Sequence, residues 1–355
     1  MTQQTDIAAS RGFSDNRPTA SGWIRGPRFD TGFIFGTAAL GLAGGATLLA
    51  APQIWALAFL PYIWLLGYPH LFATYSQIAF DRSSFRRHRR LNIELPILIL
   101  ICVTCLAVFV GTWVVVSIYL YWQWFHFTRQ SYGVSRFYAR RSGREMPDAQ
   151  LTDWVIYAVP ACGILWRSWQ APGMYLGAEL RVIPVPAELV AVAIVFTTLL
   201  VAAWFIGRFR QWRRGDIPVA HSLYVISHIA MFIAGYILIA KINFGWFALS
   251  IWHSAQYVLF VWLINRDRFR NGPSDEHRLL SQLSQPGRWV WYLAVLLVGA
   301  AILFFTLRTA AGLFAIGAVP LTLVLFQTIN FHHYTVDAVI WRRKHKSSPA
   351  TIAPS

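Results

Sequence analysis

Ten stretches of this chain are apolar for long enough to cross a bilayer, and that pattern constrains the fold more than any other feature. A helix rising 1.5 Å per residue needs about 20 apolar residues to cross ~30 Å of hydrocarbon. The stretches lie at roughly 31–50, 53–80, 93–111, 113–135, 153–168, 186–207, 219–240, 245–265, 289–307 and 312–340. The second, fourth and last exceed what a bilayer requires, so tilt or an extension beyond it is expected. Of the 355 residues, 56% are hydrophobic and only 13% charged, whereas a soluble domain carries about a quarter charged residues. Seventeen tryptophans suit membrane–water interfaces. The expected fold is therefore all-α: a polytopic transmembrane helix bundle over residues 30–341, with a disordered polar tail at 1–29 and a basic tail at 342–355. Links as short as Ala51-Pro52 and Gly111-Thr112-Trp113 force antiparallel neighbours. The first and second, third and fourth, seventh and eighth, and ninth and tenth spans therefore read as helical hairpins.

The +16 net charge could suggest a nucleic-acid partner, but its placement argues otherwise. With the N-terminus on the cytoplasmic side, 26 of the 31 basic residues fall in the tails and inside loops. Examples are Arg82 to Arg90, Arg136 to Arg144, Arg208 to Arg214 and Arg266 to Arg288. This bias marks cytoplasmic loops, so both termini are expected in the cytoplasm and the protein in a bacterial-type inner (plasma) membrane. The remaining basic excess attracts anionic lipid headgroups rather than nucleic acid. Residues 1–29 contain no apolar signal-peptide core. Cys102, Cys105 and Cys162 lie in apolar runs, which supports neither a disulfide framework nor a cysteine zinc site. No internal repeat points to an inverted-repeat transporter.

Ionisable groups within hydrocarbon are costly and mark function. Three of the ten histidines, His88, His277 and His345, fall in basic loops or the tail and read as solvated. Counted from the cytoplasmic helix ends, His70, His126, His228, His253, His332 and His333 all lie at a depth of roughly 12–18 Å. His221 lies nearer the surface and reads as interfacial. One shared layer suggests one metal or cofactor site, and imidazole suits iron, copper and zinc. His332 and His333 diverge by about 100° on a regular helix, so one of them is expected to pack elsewhere. Polar neighbours stand at helical spacing: Thr74 and Gln77 after His70, Gln130 and Arg129 after His126, Gln256 and Tyr257 after His253, and Asp337 after His333. Tyr257, Asp337, Gln130 and Arg129 are the expected supporting or catalytic groups; metal-bound imidazoles usually donate their second N–H to acceptors such as the first three. Arg129 and Asp337 could alternatively pair as structural charges. Two classes of site stay open: histidine-only ligation of non-haem iron, and a haem clamped by two histidines. A proton- or metal-coupled transporter is a third reading, although its histidines should spread across depths.

Four segments resemble, in order, the bacterial membrane-bound beta-carotene 15,15'-dioxygenase family. They are Tyr68-Pro69-His70-Leu71, Phe125-His126-Phe127, Trp252-His253-Ser254 and His332-His333-Tyr334-Thr335-Val336-Asp337. The chain departs from that pattern at Leu71, where the family has glycine, at Thr74, where it has an acid, after His126, where its glycine is replaced by Phe127 or Thr128, and at Tyr257, where it has a second histidine. The resemblance implies an Fe(II) oxygenase using O₂ on a lipophilic substrate such as a polyene or lipid. It implies His70, His126 and His253 as ligands, with a fourth from His228, His332 or His333. These departures bear most directly on the substrate. A likeness to di-iron hydroxylases and desaturases is weaker, because no His-x-x-His-His box is present. No cofactor-fingerprint loop is present either, so any reductant would come from an electron-donor partner.

Overall fold

The computed structural model describes residues 22–143, 146, 148–313 and 320–346. Among the described residues, apart from a short hairpin pairing Met174–Tyr175 with Ala178–Glu179, the regular structure is helical. Ten long helices correspond in order to the ten apolar stretches. They are α1 (Pro27–Ala50), α2 (Pro52–Ile78), α3 (Arg90–Phe109), α4 (Thr112–Arg141), α5 (Ala149–Gln170), α6 (Ala187–Arg214), α7 (Val219–Leu238), α8 (Ile242–Arg268), α9 (Trp289–Leu313) and α10 (Leu321–Lys346). Seven of these are long and apolar enough to cross a membrane. The other three, α4, α5 and α10, run for 30, 22 and 26 residues and are more polar. Helices are what an apolar medium demands, because every backbone N–H and C=O must find its partner within the chain.

Two expected boundaries move. The first helix is preceded by packed chain rather than by tail: Ile24 is buried, and Asp30 accepts the backbone N–H groups of Ile24, Arg25 and Gly26. The rest of the expected tail, 1–21, lies outside the described residues, as does 347–355. The last helix begins at Leu321 instead of 312 because Gly312 and Leu313 complete α9; 314–319 lie outside the described residues.

Helix α8 is the axis of the bundle. Its apolar window is 83% buried, against 11% for α3 and α6, whose surfaces face outward. Small residues let its neighbours approach closely, as expected where no water drives helices together. On α1, Gly41 and Gly45 form a Gly-x-x-x-Gly step. A Cβ at Gly41 would meet the Ala248 carbonyl oxygen at 2.5 Å, and one at Gly45 would meet the Ala248 side chain at 3.0 Å. The approach of α7 is tighter still, since a Cβ at Gly245 would fall 1.9 Å from the Gly235 carbonyl oxygen.

Helix α7 ends on a π turn at Ala234–Leu238, and the chain then runs extended into α8. The carbonyls of Gly235, Ile239 and Ala240 freed there accept hydrogen bonds from the Arg167 guanidinium, which is buried. These carbonyls at the α7–α8 link are tolerated without backbone partners because the guanidinium satisfies them.

Another π turn, Ile63–Gly67, directly precedes Tyr68-Pro69-His70. Pro69 has no N–H to give and its ring crowds the carbonyl four residues back. The wider turn accommodates it: the Tyr68 N–H bonds to the Ile63 carbonyl. One extra residue in the turn also rotates the face that carries His70.

At the basic end of the bundle, His277 corrects its expected solvation. It is buried between Ser84 at 3.3 Å, the Asp81 carboxylate at 3.6 Å and Arg268, which donates to its Nε2 at 2.8 Å. Burial first, then the neighbouring Arg268, holds the ring's pKa below the ordinary histidine value, so it stays neutral there.

Candidate metal centre

Helices α2, α4, α8 and α10 each deliver one histidine to a single buried point. His70, His126, His253 and His333 form a quartet in which the His70 and His126 ring centroids lie 6.2 Å apart. His253 and His333 each lie 4.7–4.9 Å from both of that pair. The Nε2 atom of His333 sits 2.9 Å from Nε2 of His70 and 3.2 Å from Nε2 of His126. One nitrogen from each of His70, His126 and His253 falls within 4.8 Å of the others. All four rings are buried, with His333 fully so.

The surrounding polar groups orient the rings. Thr74 Oγ1 has one proton, and the Asp337 carboxylate 2.9 Å away accepts it. Thr74 therefore accepts from His333 Nδ1 at 2.7 Å, which leaves the His333 Nε2 lone pair aimed into the quartet. Tyr257 also donates to Asp337, at 2.6 Å, and its oxygen lies 2.7 Å from that of Thr74. Gln130 donates to the His253 carbonyl at 3.0 Å and so ties α4 to α8 at that histidine. Aromatic rings pack the outer edges: Tyr334 stacks on His126 at 4.4 Å and Phe127 lies 4.2 Å from His253.

As a set of neutral imidazoles the arrangement is incomplete. His70 and His126 can both be satisfied only by sharing the one lone pair of His333. His70 Nδ1 and both nitrogens of His253 are buried without a hydrogen-bond partner among the described residues. A buried polar atom left unpaired costs about 1–3 kcal/mol. Converging lone pairs, a dry surround and a carboxylate-backed imidazole are what a nitrogen-binding transition metal needs, so the residues present fit such an ion. They fit haem poorly. A porphyrin clamped between any two of these rings would need the space the other two occupy.

Not every expected residue joins. His228 points elsewhere, its nitrogens held by Ser131 at 2.8 Å and by the Ile156 carbonyl at 3.1 Å. His332 turns outward to the Tyr75 hydroxyl and the Leu91 carbonyl, as the 100° step from His333 demands. His221 binds Ser135 and Arg208. Arg129 stands apart from the quartet and from Asp337: it is exposed, hydrogen-bonded to Tyr157 on α5 and stacked 5.1 Å over the Tyr132 ring. Thr74, expected beside His70, serves His333 instead. The stacking of Tyr334 on His126 had no sequence signal beyond its place next to His333.

Replacing Asp337 with asparagine, or Thr74 with valine, removes the acceptor chain behind His333. Metal affinity is then expected to fall roughly 10–100-fold with helical content unchanged. Chelator competition on the purified variants checks this, and an unaltered affinity would take the Thr74–Asp337 pair out of the site.

No family model, no curated protein and no solved structure matches this chain.

Proposed function

We propose that the protein is an integral membrane oxidoreductase, a non-haem iron oxygenase that acts with O₂ on a lipophilic substrate such as a polyene or lipid. The observation that carries this reading is the quartet itself: imidazoles from four helices, His253 and His333 each with its ring centroid 4.7–4.9 Å from those of His70 and His126, and three ring nitrogens lacking partners among the described residues. His70, His126, His253 and His333 would hold the metal. The iron would supply the redox chemistry that lets O₂ attack an apolar molecule. The chain's own part is to fix the rings, to exclude bulk water by burying them, and to keep the Tyr257 and Thr74 protons committed to Asp337. The resemblance to the carotene-cleaving dioxygenases supports the same reading through His70, His126 and His253, which stand together. The fourth histidine in this reading is His333, reached through Thr74, where that family carries an acid.

Ten crossings with both termini in the cytoplasm, in a bacterial inner membrane, complete the proposal; the clustering of arginines at alternate loops supports it. The quartet then lies in the cytoplasmic half of the bilayer, on the side from which an electron donor would approach.

Oxygen uptake by purified, iron-loaded protein tests the function. Uptake that needs both iron and an added apolar polyene or unsaturated lipid, and that fails with His126→Ala, is expected. Iron-loaded protein that consumes no oxygen with any of these substrates would overturn it.

A further inference from the structure

A second feature lies outside the quartet, on the outward face of α4, α5 and α6. Arg129 is one turn beyond His126 and about 18 Å along the helix from the α4 end at Arg141. It is exposed at that depth, and none of its contacts is acidic among the described residues. Its neighbours are the Tyr157 hydroxyl and the Tyr132 ring. These two tyrosine rings pack 5.6 Å apart as a shelf beneath the guanidinium. Arg136, two turns further along the same face, faces Asp153 at 3.9 Å, with both side chains partly exposed.

Beside it runs a groove of about 550 Å³ lined by Asp153, Trp154, Tyr157, Ala158, Ala161, Phe196 and Leu200, reaching from the level of Arg136, at Asp153, past that of Arg129, at Tyr157. The lining follows helical spacing: Asp153, Tyr157 and Ala161 on α5, and Phe196 and Leu200 on α6. Small residues at 158 and 161 make the depression, and Phe196 and Leu200 wall it.

A guanidinium exposed to hydrocarbon is costly and is retained where it meets an anion or water. Arginine favours phosphate, which it can bind through two parallel N–H donors. An apolar groove continuing to Ala161 and Phe196, with a guanidinium on its flank and tyrosine rings beside it, matches one molecule: a phospholipid, its phosphate at Arg129 and one acyl chain in the groove. We propose that this groove is a binding site for an anionic phospholipid, with Arg129 as its phosphate anchor. The site is distinct from the quartet and does not rest on the oxygenase reading. Asp153, beside Arg136, disfavours a second negative charge close to it, so the headgroup's phosphate belongs at Arg129.

Binding is measured by native mass spectrometry and thermal shift on full-length protein in a neutral detergent. The probes are phosphatidylglycerol, phosphatidylcholine and inorganic phosphate, with metal content recorded in each sample. Phosphatidylglycerol is expected to bind and raise the melting temperature, phosphatidylcholine to bind at least tenfold more weakly, and inorganic phosphate to have no effect. Arg129→Gln is expected to weaken phosphatidylglycerol at least tenfold and leave metal content unchanged. Leu200→Trp, which fills the groove while keeping the charge, is expected to do the same and decides the matter if Arg129→Gln does not fold. Equal binding of both lipids, a response to inorganic phosphate alone, or full phosphatidylglycerol affinity in a folded variant would overturn the site.

Discussion

His253→Ala is expected to strip the purified protein of its metal, with affinity falling by more than the roughly 100-fold that marks loss of a supporting partner. His253 is the member of the quartet with both ring nitrogens unpartnered, so nothing else in the fold depends on its polarity. Its removal should leave circular dichroism and detergent-phase elution unchanged while elemental analysis finds little iron. His228→Ala is the counter-case. Its ring lies in the same depth layer, yet is engaged by Ser131 and the Ile156 carbonyl. Truncation there leaves buried partners unpaired, at about 1–3 kcal/mol, and should lower the melting temperature while keeping the metal. His332→Ala should behave similarly, because its ring serves the Leu91 carbonyl and the Tyr75 hydroxyl. Equal metal loss in His253→Ala and His228→Ala would mean that the quartet is not the binding unit.

The second large effect concerns the axis of the bundle. Gly245→Val would drive a side chain into the Gly235 carbonyl, where even a Cβ comes within 1.9 Å. The obstacle is backbone, so it cannot swing aside. Overpacking costs about 1–3 kcal/mol and sometimes more, and here α7 or α8 must shift bodily. His253 lies two turns further along α8, so the displacement should reach the quartet and reduce metal occupancy together with the melting temperature. Gly133→Val, on α4 with no atom within 4 Å of the added Cβ, should do neither. Thermal melts with parallel metal analysis separate the two variants.

The ten helices were legible because hydropathy over 20 residues survives any detail of packing. The site was legible in one dimension. Residue counts from helix ends gave depth and selected six histidines, but whether a ring faces inward depends on its direction around the helix. That direction was readable for His332 against His333, where adjacency alone forces divergence. It was not readable for His228, whose inward face meets Ser131 and the α5 backbone instead of the quartet. Thr74 stands four residues from His70 on one regular helix, but its hydroxyl meets His333 and Asp337 across the bundle, a contact set by helix packing that spacing along one chain segment does not carry. Asp337 and Tyr257 were found by four-residue spacing, which holds within the regular helices α8 and α10. Arg129 was misread because an intramembrane charge suggests an interior site, whereas this one faces outward. His277 was misread because a basic loop suggests solvent, while Asp81 and Ser84 bury it from another loop.

If His70, His126, His253 and His333 together hold a metal ion, its surroundings must be those four rings. The most direct measurement is an X-ray absorption spectrum at the iron edge of protein purified from membranes. A shell of nitrogen donors with the outer scattering of imidazole rings is expected, abolished in His253→Ala and retained in His228→Ala. A sulfur-containing shell, or a nitrogen shell that survives in His253→Ala, would contradict it.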